Sequence, residues 1–241
     1  MVIGRWRGVF RIGMIAVCTL STWTFHCWSF VSIERTDSRT ELDFPEGSIG
    51  GHAPTAIQWI APKDAVVNIE GSVWKLRNNS DASLSLWIKG KEIIHAFPIP
   101  PQSTACNSKT PLTFKKILMD QGGIPDMLKD LQLIAGDTVI VLVGGNDYTG
   151  IDMRIGGKDD EWILSKDFST ESNPRGEWVY GQNLSTTDSP PQVVPYDKVN
   201  ESFDPDGRCL FGTKQPAWIG TNLPPHLSLM KSQGTSPQKC E

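Results

Sequence analysis

The sequence predicts an all-β protein: one antiparallel β-sandwich of jelly-roll-like layout, preceded by an N-terminal hydrophobic segment. Three observations predict it. Short runs rich in Val, Ile, Thr and Trp alternate with clusters of Gly, Pro, Asn and Asp through the middle of the chain. Glycine and proline, at 22 and 17 of 241 residues, supply the turns that such runs need, while helix-forming stretches are scarce. A composition of 39% hydrophobic and 21% charged residues suits one ordinary domain. That domain has about 150 residues once the two ends are set aside.

The most legible strand text begins at Gly136-Asp137. It runs through Thr138-Val139-Ile140-Val141-Leu142-Val143, breaks at Gly144-Gly145-Asn146-Asp147, and resumes as Ile151-Asp152-Met153-Arg154-Ile155. This reads as a β-hairpin. Upstream, residues 55–60 alternate apolar and polar groups as far as Ala61-Pro62-Lys63-Asp64, and residues 65–74 place Val67, Ile69 and Val73 at even spacing. These two strands are expected to pair as a second hairpin. After the polar turn at 78–81, residues 83–88 set Leu84, Leu86 and Ile88 to one side, and Lys89-Gly90-Lys91-Glu92 turns the chain into residues 93–97.

Pro98, Pro100 and Pro101 end regular pairing, and a loop holding Cys106 follows. Residues 112–131 allow short helical turns at most, because Gly122, Gly123 and Pro125 interrupt them. Counting a further short strand at 131–134 gives about seven or eight strands, the spacing of a sandwich or jelly roll. The expected organisation is therefore a signal peptide or signal anchor at 1–33, a linker at 34–51 and the sandwich at 52–181. A Pro/Ser/Thr-rich linker and weakly ordered tail are expected at 182–241.

The amino terminus reads as an address. Arg5, Arg7 and Arg11 precede residues 12–33, which carry no formal charge apart from the titratable His26. That is the layout of an export signal. About twenty apolar residues also suffice for a membrane anchor, although Ser21, Thr22, Thr24 and Ser29 weaken the spanning character. The expected location is thus secreted or cell-envelope, with membrane contact only through this segment if it stays uncleaved. Export leaves Cys106, Cys209 and Cys240, an odd number whose pairing spacing alone does not give. A net charge of -4 with cations scattered among carboxylates lacks the basic stripe of a nucleic-acid binder.

Candidate chemistry is sparse. His52, His95 and His226 sit in unrelated contexts and no serine lies in a nucleophile elbow, so no catalytic residue is assigned and a non-enzyme is expected; a hydrolase with an unrecognised site is the distant alternative. Asp159, Asp160 and Glu161 are adjacent and splay apart along an extended chain, unlike a glycosidase pair. Trp74 and Trp87, with Arg77 and Asn78 beside the first, are the candidate ligand-binding residues, since indoles stack on sugar faces while polar neighbours meet the hydroxyls. Asn146, Asp147 and Asp152 offer hard oxygen ligands for Ca²⁺, the one cofactor considered, which would make this a calcium-stabilised adhesion module. As turn chemistry, the same Asn146-Asp147 pair simply sets a tight connection.

One further likeness rests on named text: Trp59-Ile60-Ala61-Pro62, Val67-Asn68-Ile69-Glu70-Gly71, Ala135-Gly136-Asp137, Asp147-Tyr148-Thr149-Gly150-Ile151-Asp152, and Trp162 through Asp167-Phe168-Ser169 to Asn173-Pro174-Arg175-Gly176-Glu177-Trp178-Val179-Tyr180-Gly181. In this order it resembles a group of exported bacterial β-sandwich modules of planctomycetes and surface-sorted proteins, similar in layout to carbohydrate-binding or galactose-binding-like domains. Tyr148, Arg175 and Val179 depart from that pattern, which has Ser, Asn and Ser there. The resemblance implies the sandwich and an exported setting. For an exported module, extracellular glycans or other surface proteins are the expected partners. A ligand does not carry over from fold alone.

Overall fold

In the computed structural model of the chain, residues 44–52, 54–76, 81–101, 106–145, 148–183, 190–203, 215–220 and 228–233 are described. The strands are β1 (Ile49–His52), β2 (Thr55–Ile60), β3 (Ala65–Lys75), β4 (Ala82–Ile88), β5 (Lys91–Pro98), β6 (Leu112–Thr113), β7 (Leu131–Leu133) and β8 (Thr138–Gly145). They continue as β9 (Tyr148–Gly156), β10 (Glu161–Ile163), β11 (Trp178–Asn183), β12 (Val193–Pro195), β13 (Lys198–Phe203), β14 (Gln215–Ile219) and β15 (Ser228–Lys231). Two short helices, α1 (Phe114–Asp120) and α2 (Leu164–Asp167), and a 3-10 turn at Pro125–Leu128 complete the list. The predicted class holds: two antiparallel sheets pack as a β-sandwich.

One sheet runs β12-β11-β2-β8-β4-β5. The other runs β13-β14-β15-β1-β9-β3-β6, with β10 on β9 and β7 on β3. The alternation read from sequence is what fills the space between them. Ile57 and Trp59 of β2, Leu84 and Leu86 of β4, and Val139, Val141 and Val143 of β8 come from the first sheet. Val67, Ile69 and Val73 of β3 and Ile151, Met153 and Ile155 of β9 come from the second. Burial of a large aliphatic side chain is worth roughly 1.5–3 kcal/mol, so this interdigitation dominates the stability.

Pairing differs from expectation in two places. β8 and β9 do not form a hairpin: β8 lies between β2 and β4, whereas β9 lies between β1 and β3 in the other sheet. β2 and β3 likewise separate, one to each sheet. A Gly-Asn-Asp break signals a change of direction equally well for a hairpin and for a crossing between layers, and local sequence does not distinguish them. The β4–β5 hairpin does form. Its loop is Lys89-Gly90 with φ of 52° and 72°, the paired left-handed residues that suit a two-residue turn.

The fold also extends past both expected boundaries. Ile49, Gly50 and Gly51, assigned to the linker, form β1 in the middle of the larger sheet, and Phe44 is buried beside them. The tail contributes β12 to one sheet and β13, β14 and β15 to the other, within a compact unit spanning Thr40–Glu241. Ala217, Trp218, Leu229 and Met230 are buried core residues. Polar surroundings in sequence masked these short strands, because each brings only two or three inward side chains and relies on neighbours distant in the chain.

The Ala135-Gly136-Asp137 text is a structural lock. Gly136 adopts φ of 89° and its N–H donates to Ala61 O at 2.8 Å, while the Ala61 N–H donates to Asp137 O at 2.8 Å. The Asp137 carboxylate accepts from the Ile134 N–H at 2.9 Å and lies 3.2 Å from Lys89 Nζ. The Ile134 N–H, with a smaller share from Lys89, holds the Asp137 carboxyl below its ordinary pKa. A depressed folded-state pKa adds stability that is present above the unfolded value and lost as pH falls through the folded one. Asp137→Asn is therefore expected to destabilise by about 1 kcal/mol at about pH 7, with a narrower gap at about pH 3, below the unfolded value. Urea midpoints of both proteins at each pH check this, and an equal gap at the two values refutes it.

Candidate functional site

The outer face of the larger sheet carries a polar ladder across β3 and β9, where Asn68 stands opposite Gly156, Glu70 opposite Arg154 and Ser72 opposite Asp152. Strand alternation produces it, since Val67, Ile69, Met153 and Ile155 turn the opposite way into the core. The Gly157–Asp160 turn, closed by the Gly157 N–H donating to Asp160 O at 2.8 Å, folds β10 back along β9. A shallow cavity of about 140 Å³ results, lined by Asn68, Glu70, Arg154, Asp160 and Glu161 over Gly156 and Gly157.

Arg154 is the centre of this cleft. Its guanidinium pairs with Glu161 and lies 3.7 Å from Glu70, while Lys63 and Asp160 pair at 2.7 Å at the rim. The Asp160 carboxylate raises the pKa of the Lys63 ammonium. These pairs are solvent-exposed and screened, so they contribute little to the fold. The Asp159-Asp160-Glu161 run thus divides its charges between two cations, in keeping with the splayed turn read from sequence.

The predicted ligand residues lie elsewhere. Trp74 and Trp87 are buried, at 5% and 7% exposure, and offer no open indole face for stacking. For Trp74 the cause is Gly150 directly opposite on β9, with Gly50 opposite Gly150 on β1. Two adjacent glycines leave a trough. A Cβ on Gly150 would stand 2.1 Å from Trp74 Cε2, and one on Gly50 would stand 2.8 Å from the Phe44 ring. Trp87 is level with Ile140 of β8, itself buried, and Pro190 reaches the nearby β4–β5 turn, 3.6 Å from where a Cβ on Gly90 would stand. Arg77, Asn78, Asn146 and Asp147 fall outside the described residues. Asp152 is exposed on the polar ladder, two residues from Arg154, and is not joined to either Trp. Among the described residues no three His, Cys, Asp or Glu side chains converge as a metal site.

Cys106, Tyr180, Tyr196, His52 and His95 are held in structural contacts. Cys106 is a buried free thiol donating to Val73 O at 3.7 Å, and burial pushes its pKa up, away from the nucleophilic thiolate. Burial likewise raises the Tyr196 phenol to about 12 and that of Tyr180 further, the latter aided by Asp167. His52 packs edge-on against Tyr148 at 4.6 Å, and His95 Nδ1 lies 2.8 Å from Glu92. No helix among the described residues is long and apolar enough to cross a membrane.

The stretch from Trp162 to Gly181 is likewise scaffold. Asp167 accepts from the Ile163 N–H at 2.9 Å and from Trp178 Nε1 at 3.0 Å. Asn173 donates from its amide to Tyr180 O at 2.6 Å and Tyr196 O at 2.9 Å, and accepts from the Tyr180 N–H at 2.9 Å. Trp162 meets Trp59 edge-on at 5.0 Å, and Phe168 meets Tyr180 at 4.8 Å. These contacts explain why the text is distinctive without making it a binding site. The sequence alone gives Asn68, Glu70 and Arg154 no binding role; their even spacing on two strands is the available signal, but it shows no pairing partner. Compared with known proteins, the chain matches no family model, no curated protein and no solved structure. What fold and site define is an antiparallel β-sandwich with a shallow polar cleft on one face.

Proposed function

We propose that this chain is an exported, non-catalytic β-sandwich module that serves outside the cell in binding or structural contacts, with glycans as the ligand class and the Arg154 cleft as the contact. The observation that carries this reading is the shape and chemistry of the cleft. At about 140 Å³ it falls below the roughly 300–1,000 Å³ of sites that enclose a small molecule, so it does not shield a reaction from water. It does present an amide, carboxylates and a guanidinium at the surface, groups that donate and accept hydrogen bonds with hydroxyls. The arginine-led apolar segment at the amino terminus supports export.

The test is a glycan array probed with the purified protein and with Arg154→Ala. We expect retention of one or more glycans by the parent, weakened about tenfold in the variant, equivalent to about 1.4 kcal/mol. An array with no retained glycan leaves a purely structural role. Cell fractionation with N-terminal sequencing of the mature chain tests export, and a cytoplasmic full-length product would contradict it.

A further inference from the structure

Among the described strand glycines, an added Cβ would meet a close neighbour everywhere but at Gly156, inside the cleft. A Cβ would stand 2.1 Å from Trp74 at Gly150, 2.2 Å from Phe114 at Gly71, and 2.2 Å from the Val194 carbonyl at Gly181. Gly145 combines a 2.2 Å approach to Asp81 O with φ of 98°. Gly156 shows none of this. Its φ is not positive, and the nearest atom to an added Cβ is Arg154 Nε at 4.0 Å. Yet it is paired on both sides, to Asn68 of β3 and Glu161 of β10, where a β-branched residue would suit the strand better. No steric contact requires a glycine at this last position of β9. What its missing side chain provides is clear backbone at the floor of the cleft, as at strand positions that a ligand approaches closely.

Charge narrows the ligand. Three carboxylates, Glu70, Asp160 and Glu161, face two cations, and both cations are already held: Arg154 by the two glutamates and Lys63 by Asp160. A sulfated, phosphorylated or uronic group would meet excess negative charge. Hydroxyl groups instead donate to the carboxylates and accept from the Asn68 amide and the guanidinium. Resting on the glycan-binding reading above, we infer that Gly156 is an open floor kept free for an uncharged, polyhydroxylated sugar ring. Specificity against anionic glycans then comes from the carboxylates around it.

The experiment compares the parent protein, Gly156→Val and Glu161→Lys on paired neutral and anionic glycans, with melting curves for each. Expected is selective retention of neutral glycans by the parent. Gly156→Val should keep or raise the melting midpoint yet lose neutral binding tenfold or more, and Glu161→Lys should shift preference toward anionic glycans. Unchanged binding in Gly156→Val, a large loss of its stability, or an anionic preference in the parent each overturns the inference while leaving glycan binding standing. A parent that retains neither class overturns both.

Discussion

Gly150→Ala lowers the stability of the sandwich by about 3 kcal/mol, at the upper end of overpacking effects, and its melting midpoint by about 10 °C. The added methyl would stand 2.1 Å from Trp74 Cε2, 2.4 Å from Cζ2 and 2.5 Å from Nε1, distances that packed carbon atoms do not adopt. The indole has little room to retreat, because Trp74 is 5% exposed and Leu76 and Phe44 fill the adjoining trough over Gly50. Denaturant unfolding of the single variants and of Gly150→Ala combined with Trp74→Leu gives the decisive comparison. The smaller side chain should absorb the methyl, so the double variant should be more stable than the sum of the two single losses. Strict additivity would show that the indole is not what excludes the side chain. The contrast with Gly156, where nothing lies closer than 4.0 Å, makes the pair of glycines a test of packing against function.

Asn173→Asp is the second large loss, also about 3 kcal/mol. The substitution preserves shape but replaces the amide N–H₂, which donates to Tyr180 O and Tyr196 O, with a carboxylate oxygen facing both carbonyls. Tyr196 O loses this donor and Tyr180 O keeps only the Tyr196 N–H at 2.9 Å, while both come to face a negative oxygen; Tyr196, 1% exposed, is part of the join between β11 and β12. Acid should narrow the difference, since protonating the new carboxyl restores one donor. Urea midpoints of parent and variant at about pH 7 and about pH 4 read this directly, and a variant within about 0.5 kcal/mol of the parent at the higher pH would remove Asn173 from the frame of the fold.

The strands were legible where alternation and turn chemistry coincide, as in β2, β3, β4, β8 and β9. Their partners were not. A break such as Gly144-Gly145-Asn146-Asp147 turns the chain but does not say whether the next strand returns to the same sheet, and here it crosses to the other. The short strands β1, β12, β13 and β15 escaped for a related reason, and of β14 only Trp218-Ile219 shows strand character in sequence. Two glycines in β1 and two prolines within or beside short runs lower intrinsic strand preference, and long-range pairing overrides it.

The candidate site shows the same division. Polar neighbours in sequence make Trp74 a candidate for partial exposure, yet Lys75 beside it is itself buried and glycines across the sheet receive the ring. By itself the sequence determined the class of fold and the identity of most core strands, properties carried by residues close together in the chain. Tertiary structure alone decided which strands pair, how far the domain extends, that Trp74 and Trp87 are buried, and that Asn68, Glu70, Arg154 and Glu161 share one cleft. Those are outcomes of register between distant segments, and register is fixed by the packing of both layers at once.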